Sequence, residues 1–497
     1  MMFNSLQFLI FFPLVVLTYY LIPHKHRIIF LLIASYYFYM CWNPAYALLM
    51  AFSTLVTFLS GILIGNAKAA QPDKKNAGSG WVAVSFAINL SILFFFKYFN
   101  FIVTDLISGF AAIFPELGLG TVRLSIVLPV GISFYTFQAL SYTVDVYRGD
   151  VKIERNILRY FVFVSFFPQL VAGPIERSSN LLGQFYEKHR FNFSQVRDGL
   201  LLMLWGYFQK LVIADRVAIL VNQVFNHYES YSGAQLLVAA LFFAVEIYCD
   251  FGGYSNIAIG AAQVMGFRLM KNFDTPYLAR SVAEFWRRWH ISLSTWFRDY
   301  LYIPLGGSRC SKKRRYFNLM MVFLTSGLWH GAGWNFLLWG GLNGVFQIIG
   351  MELKPIKEKF FDVFSIDKDS FSHKLLQMII TFLLVDFTWI FFCASDVRTA
   401  FGFIGRMFST FSFIPFFDGS MFQMRLSETE FYISILAIAV LLAVDVMHYN
   451  GMELRKKLQF QGLWFRWTLY LVGIFTVLIF GIYGPGFEAS QFIYFQF

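Results

Sequence analysis

Runs of about twenty mostly apolar residues recur along the whole chain, as in WVAVSFAINLSILFFFKYFNFIV (Trp81–Val103) and LLQMIITFLLVDFTWIFF (Leu375–Phe392). A run of that length crosses ~30 Å of hydrocarbon as an α-helix. No water is present there to satisfy backbone N–H and C=O groups, so only helices or closed barrels can span it. These runs are continuous and do not alternate, which argues against a barrel. With 58% hydrophobic and 14% charged residues over 497 positions, a water-soluble domain is excluded as well. The fold class expected is an all-α, polytopic integral membrane protein of about eleven to twelve transmembrane helices, with re-entrant and interfacial helices, in one domain over 1–497.

The net charge of +11 is read loop by loop. Lys68, Lys74 and Lys75, the run Lys312–Arg315 and the run Arg455–Lys457 mark cytoplasmic loops, and the charge-poor loops, such as 104–123, alternate with them on the outside. Both termini are then expected outside. The first basic cluster, His24–Arg27, follows the first apolar run, the reverse of a cleavable signal peptide. No soluble basic domain exists to bind nucleic acid. Cys41, Cys249, Cys310 and Cys393 lack metal-ligand or redox spacing, and no metal is expected.

Proline and glycine interrupt some runs. Pro129 and Gly131 predict a kink or broken helix, while Pro168 with Gly173-Pro174 predicts a re-entrant pair. Asp250-Phe-Gly-Gly-Tyr254 is expected to interrupt a crossing over Leu236–Met265. Asp145, Glu246, Asp250, Asn256, Asn335 and Asp386 are polar at membrane depth; pairing with Lys210, Arg216 or backbone groups is the expected reason.

Glu284–Gly333 is the densest stretch of chemistry. Over Phe285–Tyr300, a helix would put Trp286, Trp289, Leu293, Trp296 and Tyr300 on one face and lie in the interface plane, with His290 on its apolar side. His330 follows Arg315 by fifteen residues, ~22 Å along a helix. An imidazole at that depth must be hydrogen-bonded or face water. Its near-neutral titration suits proton transfer to or from a hydroxyl or thiol; a bond to a neighbouring helix is the plainer alternative. Ser326 and Gly327 leave room beside the ring, although Gly327 and Gly331 could equally serve close helix packing alone. The basic loop between the histidines suits a phosphate-bearing donor such as coenzyme A. Arg287, Arg288, Arg298, Trp289 and Ser326 are the residues expected to hold it; the tryptophans could instead be interface anchors.

EFWRRWHISLSTWFRDYLYIPLGG (Glu284–Gly307) and SGLWHG (Ser326–Gly331) resemble the paired signatures of the membrane-bound O-acyltransferase family, most of all the bacterial branch typified by the alginate O-acetyltransferase membrane subunit. LPVGISFYTFQALSY (Leu128–Tyr142), FFPQLVAGPIER (Phe166–Arg177) and DFGGYSNIAIG (Asp250–Gly260) add to the resemblance. It implies a ring of helices around a thin centre with a tunnel, a catalytic core over roughly 120–350, His330 as the essential histidine and His290 as its support. It also implies acetyl-CoA as cytoplasmic donor, a polysaccharide acceptor, an extracytoplasmic partner resembling SGNH hydrolases, and residence in the bacterial inner membrane. Pro304–Gly307 favours acetyl transfer over the D-alanyl transfer of teichoic acid modification. A transporter without transfer chemistry is the rival from another class, and it would be expected to show repeated halves.

Overall fold

The computed structural model describes residues 1–114, 124, 126–171 and 173–483, so part of the outside loop expected over 104–123 lies beyond them. Every regular element among the described residues is helical. The helices that matter below are α1 (Leu6–Leu21), α2 (His24–Met40), α3 (Pro44–Ala70), α4 (Ser79–Ile113), α5 (Ile132–Arg148), α6 (Ile157–Ser165), α7 (Phe193–Tyr207), α8 (Asp215–Asn226), α9 (Gly233–Val264), α10 (Val282–Arg288), α11 (Ile291–Phe297), α12 (Lys312–His330), α13 (Trp334–Val363), α14 (Phe371–Cys393), α15 (Val397–Ser409), α16 (Glu428–Tyr449) and α17 (Leu463–Phe480). Among the described residues seven stretches, in α3, α4, α9, α13, α14, α16 and α17, are long and apolar enough to cross a membrane. Large apolar side chains such as Leu6, Leu48, Phe371 and Ile479 point outward, an arrangement that suits lipid and not water. The protein is a polytopic all-α membrane protein.

The chain divides into two compact units, Met1–Leu200 with Ile257–Met270, and Leu201–Asn256 with Lys271–Phe497. In the first, α3 packs on α4, α5 and α6. The expected break before α5 is present: Gly131 has φ +72°, and a Cβ there would meet the Leu170 carbonyl 2.5 Å away. The expected break at Pro168 is present too, because α6 stops at Ser165 and only a short turn, Phe167–Leu170, follows.

In the second unit, α12 and α13 form an antiparallel hairpin through Gly331–Gly333. Gly327 and Gly340 let the two backbones touch; a Cβ on either would collide with a carbonyl of the facing helix, Phe336 or Phe323. The room expected beside Gly327 is therefore filled by α13, and close packing is its role.

Two expectations fail locally. Helix α9 runs unbroken through Gly252-Gly253. A Cβ at Gly253 would lie 2.8 Å from the Gly206 carbonyl, so that glycine serves close approach without ending the helix. Conversely, Phe285–Tyr300 is not one helix. It stops after Arg288, restarts at Ile291 and passes into a π-helical turn over Arg298–Tyr302.

Candidate active site

The break between α10 and α11 creates the site. Ser281 caps α10 by accepting the Glu284 backbone N–H. Seven residues later the chain leaves the helix: Trp289 is extended and His290 adopts the left-handed conformation, φ 43° and ψ 54°. A non-glycine residue holds that conformation only when its surroundings over-determine it. The surroundings here are the segment 272–274. Asp274 donates its backbone N–H to the Arg288 carbonyl, and Ile291 donates to the Asn272 carbonyl, each at 2.9 Å.

The Asn272 side chain completes the clasp. Its Oδ1 lies 3.1 Å from His290 Nδ1, accepts the Ser292 hydroxyl at 2.9 Å and stands 3.4 Å from the Ser292 backbone N–H. Its Nδ2 donates to Ser255 Oγ at 3.0 Å. Only an oxygen can accept the Ser292 backbone N–H, so the amide orientation follows and His290 Nδ1 is the donor.

His330 closes α12, and its Nδ1 lies 2.6 Å from the Ser326 carbonyl one turn back. A carbonyl only accepts, so Nδ1 carries the proton and Nε2 the basic lone pair. Both imidazoles thus have the same tautomer. Their centroids are 6.5 Å apart at 81°.

Aromatic rings wall them in. Phe251 meets His290 edge-on at 4.6 Å, and Trp329, Trp339 and Phe392 surround His330 at 4.9, 4.8 and 5.6 Å. His290 is wholly buried and His330 keeps 2% of its surface. The ring is more enclosed than one standing in an open funnel beneath the basic loop.

The other sequence candidates divide. Ser326 is at the site, through its carbonyl. Trp289 is fully buried in an aromatic cluster, stacked on Phe285, edge-on to Phe273 and tilted against Trp389. Arg288 is tied to Glu284 at 3.0 Å and lies over the Tyr449 ring. Arg298 pairs with Asp299 while staying 61% exposed, and Arg287 is exposed. Of the three candidate arginines, these last two have surface to offer. Sequence reasoning missed Asn272, Ser255 and Ser292, along with Asn343, which accepts the Trp286 indole N–H at 3.1 Å. No periodicity or spacing marks them; Asn272 is eighteen residues from His290, and only the tertiary fold brings the two together.

Two buried imidazoles, each with its Nδ1 bonded to an oxygen, stand in an aromatic shell, one of them at the end of α12. Residues 153–397 match the model of the membrane-bound O-acyltransferase family. The chain is 39% identical to a probable alginate O-acetylase of Azotobacter vinelandii over 82% of this chain and 78% of that one.

The chain belongs to the membrane-bound O-acyltransferase family.

It is an acyltransferase, as the names of its relatives agree. A peptidoglycan O-acetyltransferase of Helicobacter pylori is 33% identical over 75% of this chain and 72% of its own. A teichoic acid D-alanyltransferase of Bacillus subtilis is 27% identical over 44% and 57%. The family match encloses both histidines and Asn272.

Proposed function

We propose that this membrane-bound O-acyltransferase takes acetyl from cytoplasmic acetyl-CoA and passes it across the bacterial inner membrane for O-acetylation of an extracytoplasmic polysaccharide, with His330 as the base and His290 as its support. The observation that carries the assignment of the base is the 2.6 Å bond from His330 Nδ1 to the Ser326 carbonyl, which makes Nε2 the proton acceptor. In the reaction, Nε2 takes the proton of the attacking hydroxyl. The oxygen adds to the thioester carbonyl, the C–O bond forms, the C–S bond breaks, and the proton passes to the departing thiolate.

Three things support the acetyl reading. Relatives named for O-acetyl transfer are 39% and 33% identical over three quarters or more of the chain, against 27% over less than half for the D-alanyl relative. A tight aromatic enclosure favours a two-carbon acyl group over a long chain. The exposed cations Lys312, Lys313 and Arg314, at the far end of the helix that His330 closes, suit the phosphates of the coenzyme, as do Arg287 and Arg298. A secreted SGNH-type partner would complete the transfer to polymer hydroxyls.

The test is acetyl ester formed on polymer by membranes supplied with labelled acetyl-CoA, in wild type and in His330→Ala. Loss of ester with normal insertion supports the reading. Undiminished ester in the variant overturns the role of His330, and D-alanyl in place of acetyl ester, read by mass, overturns the substrate.

A further inference from the structure

Placing two histidines in a membrane core does not by itself say which nitrogen of each is basic. For His330 the carbonyl of its own helix decides. His290 sits at a helix break, and its Nδ1 faces the Asn272 side chain. The group that decides is a side chain from another segment.

We propose that Asn272 is a positioning residue for acyl transfer: its Oδ1, 3.1 Å from His290 Nδ1, holds that imidazole in the Nδ1–H tautomer and so keeps Nε2 basic beside His330. The inference rests on the base assignment above and adds to it the device that sets the second histidine.

The geometry separates the side chain from the scaffold. The left-handed turn at His290 is pinned by main-chain bonds, Ile291 N–H to the Asn272 carbonyl and Asp274 N–H to the Arg288 carbonyl. Those bonds survive any replacement of the Asn272 side chain. What the side chain alone supplies is an acceptor of fixed orientation. Its Oδ1 faces the Ser292 backbone N–H, which can only donate, so an amide rotated to offer its nitrogen to His290 would set one N–H against another; the Ser255 and Ser292 hydroxyls, which donate or accept, bond the amide from either side. Asn272 is 1% exposed, and Ser255 and Ser292 are equally enclosed, so water does not compete for these bonds. Without this acceptor Nδ1 keeps the Ser292 hydroxyl at 3.4 Å, which can donate as well as accept and so does not fix the tautomer; one of the two tautomers puts a proton on the nitrogen that has to be basic.

The experiment uses the full chain in lipid, labelled with 15N-histidine, with the His290 signals assigned by their loss in His290→Gln. The wild type is expected to give a protonated Nδ1 and an unprotonated Nε2. Asn272→Ala is expected to populate the Nε2–H tautomer and lower kcat by about 10- to 100-fold, the usual effect of removing a partner that orients a functional histidine, with the donor KM unchanged. Asn272→Asp has the same shape and an acceptor in the same place, and is expected to keep the Nδ1–H tautomer and recover most of kcat. The proposal is overturned if His290 keeps its wild-type tautomer in Asn272→Ala, or if Asn272→Asp loses it. If the alanine variant does not fold, the aspartate variant decides alone. The tautomer is read without turnover, so a failure here is distinct from a failure of the His330 assignment, which shows as acetylation persisting in His330→Ala.

Discussion

Two polar clusters sit on consecutive residues of α9 and resolve the burial of polarity in opposite ways. Asp250 turns to a cluster of full charges: Lys210 Nζ lies 2.5 Å from its carboxylate and 2.8 Å from that of Asp215, with all three side chains almost fully buried. Phe251, about 100° further round the helix, turns to the histidines and packs edge-on against His290. In the first cluster charge is answered by charge, and the lysine stands in a π-helical segment, Phe208–Ala214, between α7 and α8. In the second, both imidazoles meet neutral oxygens and the rest of the wall is aromatic. An ion-pair cluster fixes a structure; an imidazole pair bonded through Nδ1 can keep a proton acceptor available. On the proposed function, the difference separates groups that hold the bundle from groups that act in it.

The largest effect expected is on the acting side. His330→Ala should lower acyl transfer by roughly 10²–10⁴-fold, with little change in melting temperature in detergent. The holding side should respond in reverse. Lys210→Met leaves the two buried carboxylates of Asp215 and Asp250 without that cation and should destabilise by ~3–5 kcal/mol; adding Asp215→Asn and Asp250→Asn should restore much of that, because the two groups paired with Lys210 are then neutral. Thermal unfolding of the single and triple variants measures it. A Lys210 variant that keeps its stability and loses transfer would put this cluster in the machinery and break the comparison.

How each cluster could be foreseen differs as well. Hydrophobic runs and loop charges were enough for the helices, and the cost of burying Asp250 alone led to an expected pairing with Lys210, Arg216 or backbone groups, of which the structure shows Lys210. His330 was legible as the end of a helix begun by the Lys312–Arg315 run. The setting of His290 was not. Its left-handed backbone contradicts local propensity, and the cause is Asn272, a polar residue in an unremarkable segment that only topology delivers. The same locality explains Gly252-Gly253: from composition the pair looks like a break, whereas Gly253 answers to the Gly206 carbonyl on another helix. Trp289 and Arg288 were expected at the coenzyme because their types suit it; Glu284 and Phe285 stand one turn back on the same helix, while Phe273, Trp389 and Tyr449 come from other parts of the chain.

A smaller effect tests whether the acting side also depends on packing. Gly327 lies one turn before His330, and a methyl group there meets the Phe336 carbonyl of α13. Gly327→Ala should cost about 1–3 kcal/mol as the hairpin is pushed apart, and transfer should fall with stability because His330 rides on the displaced turn. Stability lost without any loss of transfer would show that the base tolerates movement of its helix.

The smallest effect sharpens the boundary of the holding side. Beside Lys210, Asn256 donates to Gln209 Oε1 at 2.7 Å, a bond between neutral groups. Asn256→Ala removes one such bond and should lower stability by ~1 kcal/mol, well below the loss from Lys210→Met, with transfer unaltered. The ratio between the two losses is the informative quantity. If Asn256→Ala matches Lys210→Met, the neutral bond and the ion pairs act as one network, and the stability of this cluster resides in its connectivity. If it stays near the value of a single neutral bond, the charges carry the cluster and Asn256 only trims its edge.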